Sequence, residues 1–167
     1  MSDKFFSNNP YYVPVGNRIC ENMYYRMHNA YLNGNRKWAR FIKLLMWRLF
    51  YTYIPPEVSI GEHLILGHHG FGVVMHFDTQ IGTDAIIMHH TTFGNGKIRI
   101  GKCFTIGAGA TVIGPINIGD YVTIAPNSYV NQDIPDYALI MGNPAKIIKI
   151  RSQSDIDDIR KKREQYF

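Results

Sequence analysis

Cysteine is scarce in this 167-residue chain: Cys20 and Cys103 are the two present, far apart and in unlike contexts. Such a pair excludes a disulfide framework and fits a reducing compartment, so the protein is expected to be cytoplasmic. Long hydrophobic runs are missing too; none approaches the ~18 uncharged apolar residues of a membrane-spanning helix. The opening residues, MSDKFFSNNP, lack the basic-then-apolar order of a secretory signal. Zinc-finger spacing, an aromatic RNA-binding motif and a long basic run are also absent, which removes the usual routes to nucleic acid. Acidic residues are the minority charge, 13 against 18 Lys+Arg. The surplus gathers at residues 36–48 and 146–163 and suits an anionic small molecule.

What is present is a repeat. Ile81, Ile87 and Phe93, then after one extra residue Ile100, Ile106, Val112, Ile118, Ile124 and Val130, recur every six positions. A small residue tends to follow, as at Gly61, Gly82, Gly94, Gly101, Gly107, Gly119 and Ala125. A second apolar or small residue stands two before, as at Val58, Ala85, Ile98, Phe104, Ala110, Ile116 and Val122. Six is neither the helical period nor the alternation of a plain strand. It fits a triangular solenoid whose sides each bury one aliphatic side chain, with three sides making a coil of about 18 residues. Stacked coils pair as parallel strands, so the expected fold is mainly β.

Around the repeat, the organisation is expected to be a helical segment at 1–54, the coils and a C-terminal loop at 55–150, and a short C-terminal helix at 151–167. Arg18 to Asn33 and Arg36 to Thr52 are the N-terminal helices, separated by Asn33-Gly34-Asn35. Trp38, Phe41, Ile42, Leu45 and Leu49 fall on one face of the second, which is expected to pack on its own domain or on a sister subunit. Peripheral membrane contact through this basic helix at 36–52 is the alternative. Ser154 is expected to cap a closing, structural helix that runs to Gln165.

Four of the seven histidines come as pairs, His68-His69 and His89-His90. Leu66 and Met75 are successive corners nine residues apart, so three extra residues bulge out around His69-Gly70-Phe71-Gly72. Counting one coil on, His69 stacks near His90 and His68 near His89. Imidazole is the side chain best suited to proton transfer near neutral pH, so this bulge is a candidate site for a general base. Hydrogen-bonded turn histidines and a zinc site remain open as other readings of the cluster.

From Ile60-Gly61 to Lys146 the chain resembles the serine acetyltransferase branch of the hexapeptide acyltransferases, including its colanic-acid and capsular polysaccharide relatives. Leu64-Ile65-Leu66-Gly67-His68-His69-Gly70-Phe71-Gly72-Val73-Val74 is similar to the catalytic segment of that family, and the register selects His69. Met88-His89-His90-Thr91-Thr92-Phe93-Gly94-Asn95 resembles its next coil. Ile106-Gly107-Ala108-Gly109-Ala110, with Gly114, resembles its coenzyme-binding coil, and Gly142-Asn143-Pro144-Ala145-Lys146 its C-terminal signature.

The resemblance implies a left-handed parallel β-helix, a homotrimer with its site in the cleft between subunits, acetyl-CoA as donor and no metal. His69 would be the base with His90 beside it, and His68, His76, His89 and Asn95 would meet the acceptor. The pantetheine arm would lie on Gly107, Ala108, Ala125 and Pro126, and Lys146 and Lys149 would face the phosphates. Three departures stand out. Tyr53 occupies the position of an aspartate, Asn95-Gly96-Lys97 replaces a longer histidine-bearing loop, and the helical segment is short. They favour a sugar hydroxyl, as in surface-polysaccharide synthesis, with serine as the alternative acceptor. A metal enzyme like the γ-class carbonic anhydrases and a non-catalytic trimeric scaffold are the further alternatives.

Overall fold

The computed structural model describes residues 18–164. The start of the helical segment expected at 1–54 and the end of the closing helix expected at Gln165 lie outside the described residues. Two antiparallel-connected helices come first, α1 (Ile19–Leu32) and α2 (Arg36–Phe50). Asn35 caps α2 by accepting a hydrogen bond from the Trp38 N–H at 3.2 Å.

Twelve short strands then wind into the solenoid: β1 (Ser59–Ile60), β2 (Ile65–Leu66), β3 (Val74–Met75), β4 (Thr79–Ile81), β5 (Ile86–Ile87) and β6 (Thr92–Gly94). They continue as β7 (Ile98–Ile100), β8 (Thr105–Ile106), β9 (Thr111–Ile113), β10 (Ile116–Ile118), β11 (Thr123–Ile124) and β12 (Tyr129–Val130). Every third strand pairs in parallel, giving three faces: β1-β4-β7-β10, β2-β5-β8-β11 and β3-β6-β9-β12. A hairpin, β13 (Ala138–Gly142) with β14 (Ala145–Ile150), extends the second face. Helix α3 (Gln153–Glu164) closes the chain.

The counted column is the core. Ile81, Ile87, Phe93, Ile100, Ile106, Val112, Ile118, Ile124 and Val130 are all buried, as are Val58, Ala85, Ile98, Phe104, Ala110, Ile116 and Val122 two positions before their partners. Each of the larger side chains contributes about 1.5–3 kcal/mol by leaving water, so this column is the main source of the solenoid's stability.

The open edge of the first coil is covered by side chains from α1. Tyr24 donates its hydroxyl to the Val58 carbonyl at 3.1 Å and accepts from the Ile60 N–H at 2.8 Å. Tyr25 donates to the Gly61 carbonyl at 2.7 Å and accepts from Leu64, and Glu21 accepts from Leu66 at 2.9 Å. An unpaired strand edge would otherwise present these groups unsatisfied or to another chain.

Two expectations about the helices are corrected. The packing face of α2 is Ala39, Ile42 and Met46, whereas Trp38, Phe41 and Leu49 are exposed. The sequence of α2 is apolar on several sides, and only contact with α1 and the first coil chooses among them. The cap of α3 is Ser152 rather than Ser154: Ser152 Oγ accepts from the Asp155 N–H at 3.3 Å while the Asp155 carboxylate accepts from the Ser152 N–H at 2.9 Å. At the far end of α3 the buried Arg163 guanidinium donates to the Asp84, Cys103 and Phe104 carbonyls and to Thr105 Oγ1, which fastens the helix across two coils.

Candidate active site

Strand register locates the irregularity in the coils. Leu66 pairs with Ile87, 21 positions on, whereas Met75 pairs with Phe93, 18 positions on, so three residues are inserted between β2 and β3. On one side of the insertion a Cβ at Gly67 would touch Met88. On the other, a Cβ at Gly72 would lie 2.3 Å from His90 Nδ1, and the His90 N–H donates to the Phe71 carbonyl at 2.8 Å. Gly67 therefore stacks on Met88 and Gly72 on His90. Residues 68–71 therefore stand against His89 alone, and three of these four are the insertion.

This corrects the count that set His69 above His90. His90 lies under Gly72 and Phe71, with its ring edge-on to Phe71 at 5.0 Å, while the ring of His69 packs on Phe50 at 5.5 Å. The other expected pairing is found: His68 and His89 are edge-on at 4.8 Å, and His89 and His90 are 5.6 Å apart. His90 has φ 57° because it occupies a corner column that also holds Gly72, Gly109 and Asn127, all at positive φ. The inserted bend is different. His68 and His69 take φ 52° and 57° in succession, followed by Gly70 at 72°. Consecutive left-handed residues with a Cβ cost about 1–2 kcal/mol each, and such strain persists only where surrounding contacts hold it.

Those contacts come from the segment after α2. Buried Thr52 directs its hydroxyl at the Gly70 carbonyl (2.9 Å) and the His69 carbonyl (3.1 Å). The Tyr51 carbonyl accepts from the Gly72 N–H, and Tyr53 bridges Val74 in parallel register. The bend is thus built between the helices and the coil, and His69 is presented half-buried while His68 is exposed. Thr52 was not among the sequence candidates, and nothing in the repeat points to it.

The remaining candidates divide. His89 joins the cluster; burial, followed by the neighbouring His68 and His90, pushes its imidazole below the ordinary histidine value. His76 belongs to a different recess, of about 380 Å³, with Lys43, Tyr53, Pro55, Glu57, Met75 and Phe77. Its Nδ1 accepts from the Asp78 N–H at 3.3 Å. Asn95 is exposed at a tight turn at φ 48°. Gly107 and Pro126 stack so closely that a Cβ at Gly107 would lie 2.5 Å from the Pro126 nitrogen, which leaves a smooth wall beside Ala108. Ala125, by contrast, is buried behind that wall. Lys146 is exposed on β14, and Lys149 is ion-paired with Asp155 at 2.8 Å.

Both thiols are withdrawn from chemistry by burial, which raises Cys20 to about 12 and Cys103 above its usual range. Among the described residues, no three His, Cys, Asp or Glu side chains are grouped to hold a metal.

Residues 97–132 match the family model described as bacterial transferase hexapeptide (six repeats). That stretch carries part of the six-residue repeat counted in the sequence. It is 33% identical over 135 residues to serine acetyltransferase 2 of Arabidopsis thaliana, covering 77% of this chain and 42% of the relative. Against the serine acetyltransferase of Helicobacter pylori it is 39% identical over 102 residues, 57% of this chain and 59% of that one. The crystal structure of Neisseria gonorrhoeae serine acetyltransferase superposes with a TM-score of 0.75 at 27% identity, over 83% of this chain and 56% of that structure. A serine acetyltransferase in complex with CoA superposes at 0.71 and 28% identity, over 77% and 55%. The chain therefore spans roughly half the length of these relatives. The matched repeat begins at residue 97, after both histidine pairs.

Proposed function

We propose that this chain is an O-acetyltransferase that moves an acetyl group from acetyl-CoA to an acceptor hydroxyl. The observation that carries the reading is the bend at His68-His69-Gly70, which holds His69 half-buried on a solenoid similar to one that binds CoA. His69 takes the proton of the acceptor hydroxyl. The oxygen attacks the thioester carbonyl carbon, and backbone N–H groups at a coil turn stabilise the oxyanion. Collapse breaks the carbon–sulfur bond, and the thiolate of CoA leaves and takes up the proton. The pantetheine arm lies along the wall of Gly107, Ala108 and Pro126, with Lys146 at the phosphates. A homotrimer completes the site between subunits.

Serine is the favoured acceptor, because the relatives at 33% and 39% identity are serine acetyltransferases. This reverses the order suggested by the departures noted above. A sugar hydroxyl is the second reading, favoured by Tyr53, which carries the Lys43 ammonium over its ring at 5.3 Å where the family has a carboxylate. Release of CoA thiol from acetyl-CoA across serine, nucleotide sugars and lipid-linked sugars tests both. His69→Ala is expected to lower kcat by about 10²–10⁴-fold with the true acceptor. Failure to turn over any of these acceptors, or full turnover by His69→Ala, would overturn the reading.

A further inference from the structure

The outer face of α2 has no assigned role. Trp38, Phe41, Leu44, Trp47 and Leu49 are 46–62% exposed there, and they are interleaved with Lys37, Arg40 and Arg48. The helix carries five bases and no acid in 15 residues, and it holds both tryptophans of the chain. Its other face is already spent on Ala39, Ile42 and Met46 against the fold. A soluble helix needs one apolar stripe, and this one carries exposed apolar side chains round much of the rest of its circumference.

We propose that this face docks on an anionic bilayer surface. Two occupants could cover exposed aromatic area of this kind, a bilayer or another copy of the chain. Charge decides between them. Face-to-face pairing of two copies would bring the six bases of two such faces together with no acid of the helix opposite. An anionic headgroup layer supplies the opposite sign along the whole helix, and indole rings settle at the headgroup level. Lys and Arg bury their stems beside apolar surface while their heads reach the phosphates. No described helix is long and apolar enough to cross the membrane, so the contact is peripheral. The docked helix ends at Phe50, the residue that packs on His69. The inference rests on the surface of α2 and stands or falls apart from acetyl transfer.

Because both tryptophans of the chain are exposed on this helix, intrinsic emission reports its surface directly. With vesicles of phosphatidylcholine plus phosphatidylglycerol, the emission is expected to shift to the blue and the protein to sediment with the vesicles; with phosphatidylcholine alone it should do neither. The triple reversal Lys37→Glu, Arg40→Glu and Arg48→Glu, shown folded by circular dichroism, is expected to weaken partition by at least about a hundredfold. Raising the salt should weaken the wild type in the same direction. No sedimentation with anionic vesicles would overturn the proposal. So would emission already blue without lipid, in an oligomer that the charge reversals dissociate, since that would make the face a contact between copies.

Discussion

Replacing Thr52 by valine tests whether the histidine bend is held from behind. The two side chains have nearly the same shape, so the change removes one hydroxyl and little else. Thr52 Oγ1 lies 2.9 Å from the Gly70 carbonyl, 3.1 Å from that of His69 and 3.4 Å from that of Phe50, and its single proton serves one of them at a time. The Gly70 contact is buried, so losing its donor leaves a carbonyl unsatisfied at a cost of about 1–3 kcal/mol. In a chain of this size that is a fall in Tm of about 2–12 °C. If the bend relaxes instead and His69 moves by about 1 Å, kcat should fall by on the order of 10²-fold. The KM for acetyl-CoA should hold, because the wall at Gly107 and Pro126 belongs to later coils. Thermal melting and CoA-thiol release measure the two effects, and Thr52→Ser, which keeps the hydroxyl, should restore both. Thr52→Val with unchanged Tm and unchanged kcat would refute the argument.

Two further outcomes follow from buried polar groups. Tyr24→Phe strips the Val58 carbonyl and the Ile60 N–H of their partner at once; chemical denaturation should show a loss of about 2–5 kcal/mol, more than an exposed Tyr→Phe change such as Tyr137→Phe. His89 has a depressed pKa in the folded state, so below its ordinary value near 6.5 the unfolded chain binds more protons than the folded one. Its contribution to stability is therefore present above that pH and is lost as the pH falls; melting at pH 7.5 and 5.5 should show a smaller acid-induced drop in His89→Gln than in the wild type.

The coils were legible in the sequence because their signal repeats, and each buried corner predicts the next. The bend was only half legible. Counting between Leu66 and Met75 fixes that three residues are extra but not which three, since Phe71 could stand inside or outside the insertion. The contacts of Gly67 with Met88 and of Gly72 with His90 confine the insertion to residues 68–71. The packing face of α2 was hidden for a related reason: a helix apolar on several sides offers more than one stripe. Glu21, Tyr24 and Tyr25 were missed although their i, i+3, i+4 spacing puts them on one face of α1. The available signal was the first coil itself, whose edge strands need donors and acceptors from somewhere.

That edge also changes how the N-terminal segment bears on the site. A boundary at residue 54 treats the helices as an appendage, yet Tyr53 donates to the Val73 carbonyl at 2.8 Å and accepts from the Met75 N–H at 2.9 Å, so residues 51–53 already belong to the first coil. The same three residues hold the bend through Thr52 and line the His76 recess through Tyr53. On the proposed reading, an acceptor entering that recess meets an aromatic ring and the Lys43 ammonium, not a carboxylate. A free amino acid brings an ammonium of its own, which Lys43 repels, and a carboxylate, which it attracts; a neutral sugar brings neither and is held by stacking on the ring. Lys43→Gln therefore separates the two acceptors: it should raise the KM for serine if the carboxylate is read there, and leave a sugar acceptor nearly unchanged.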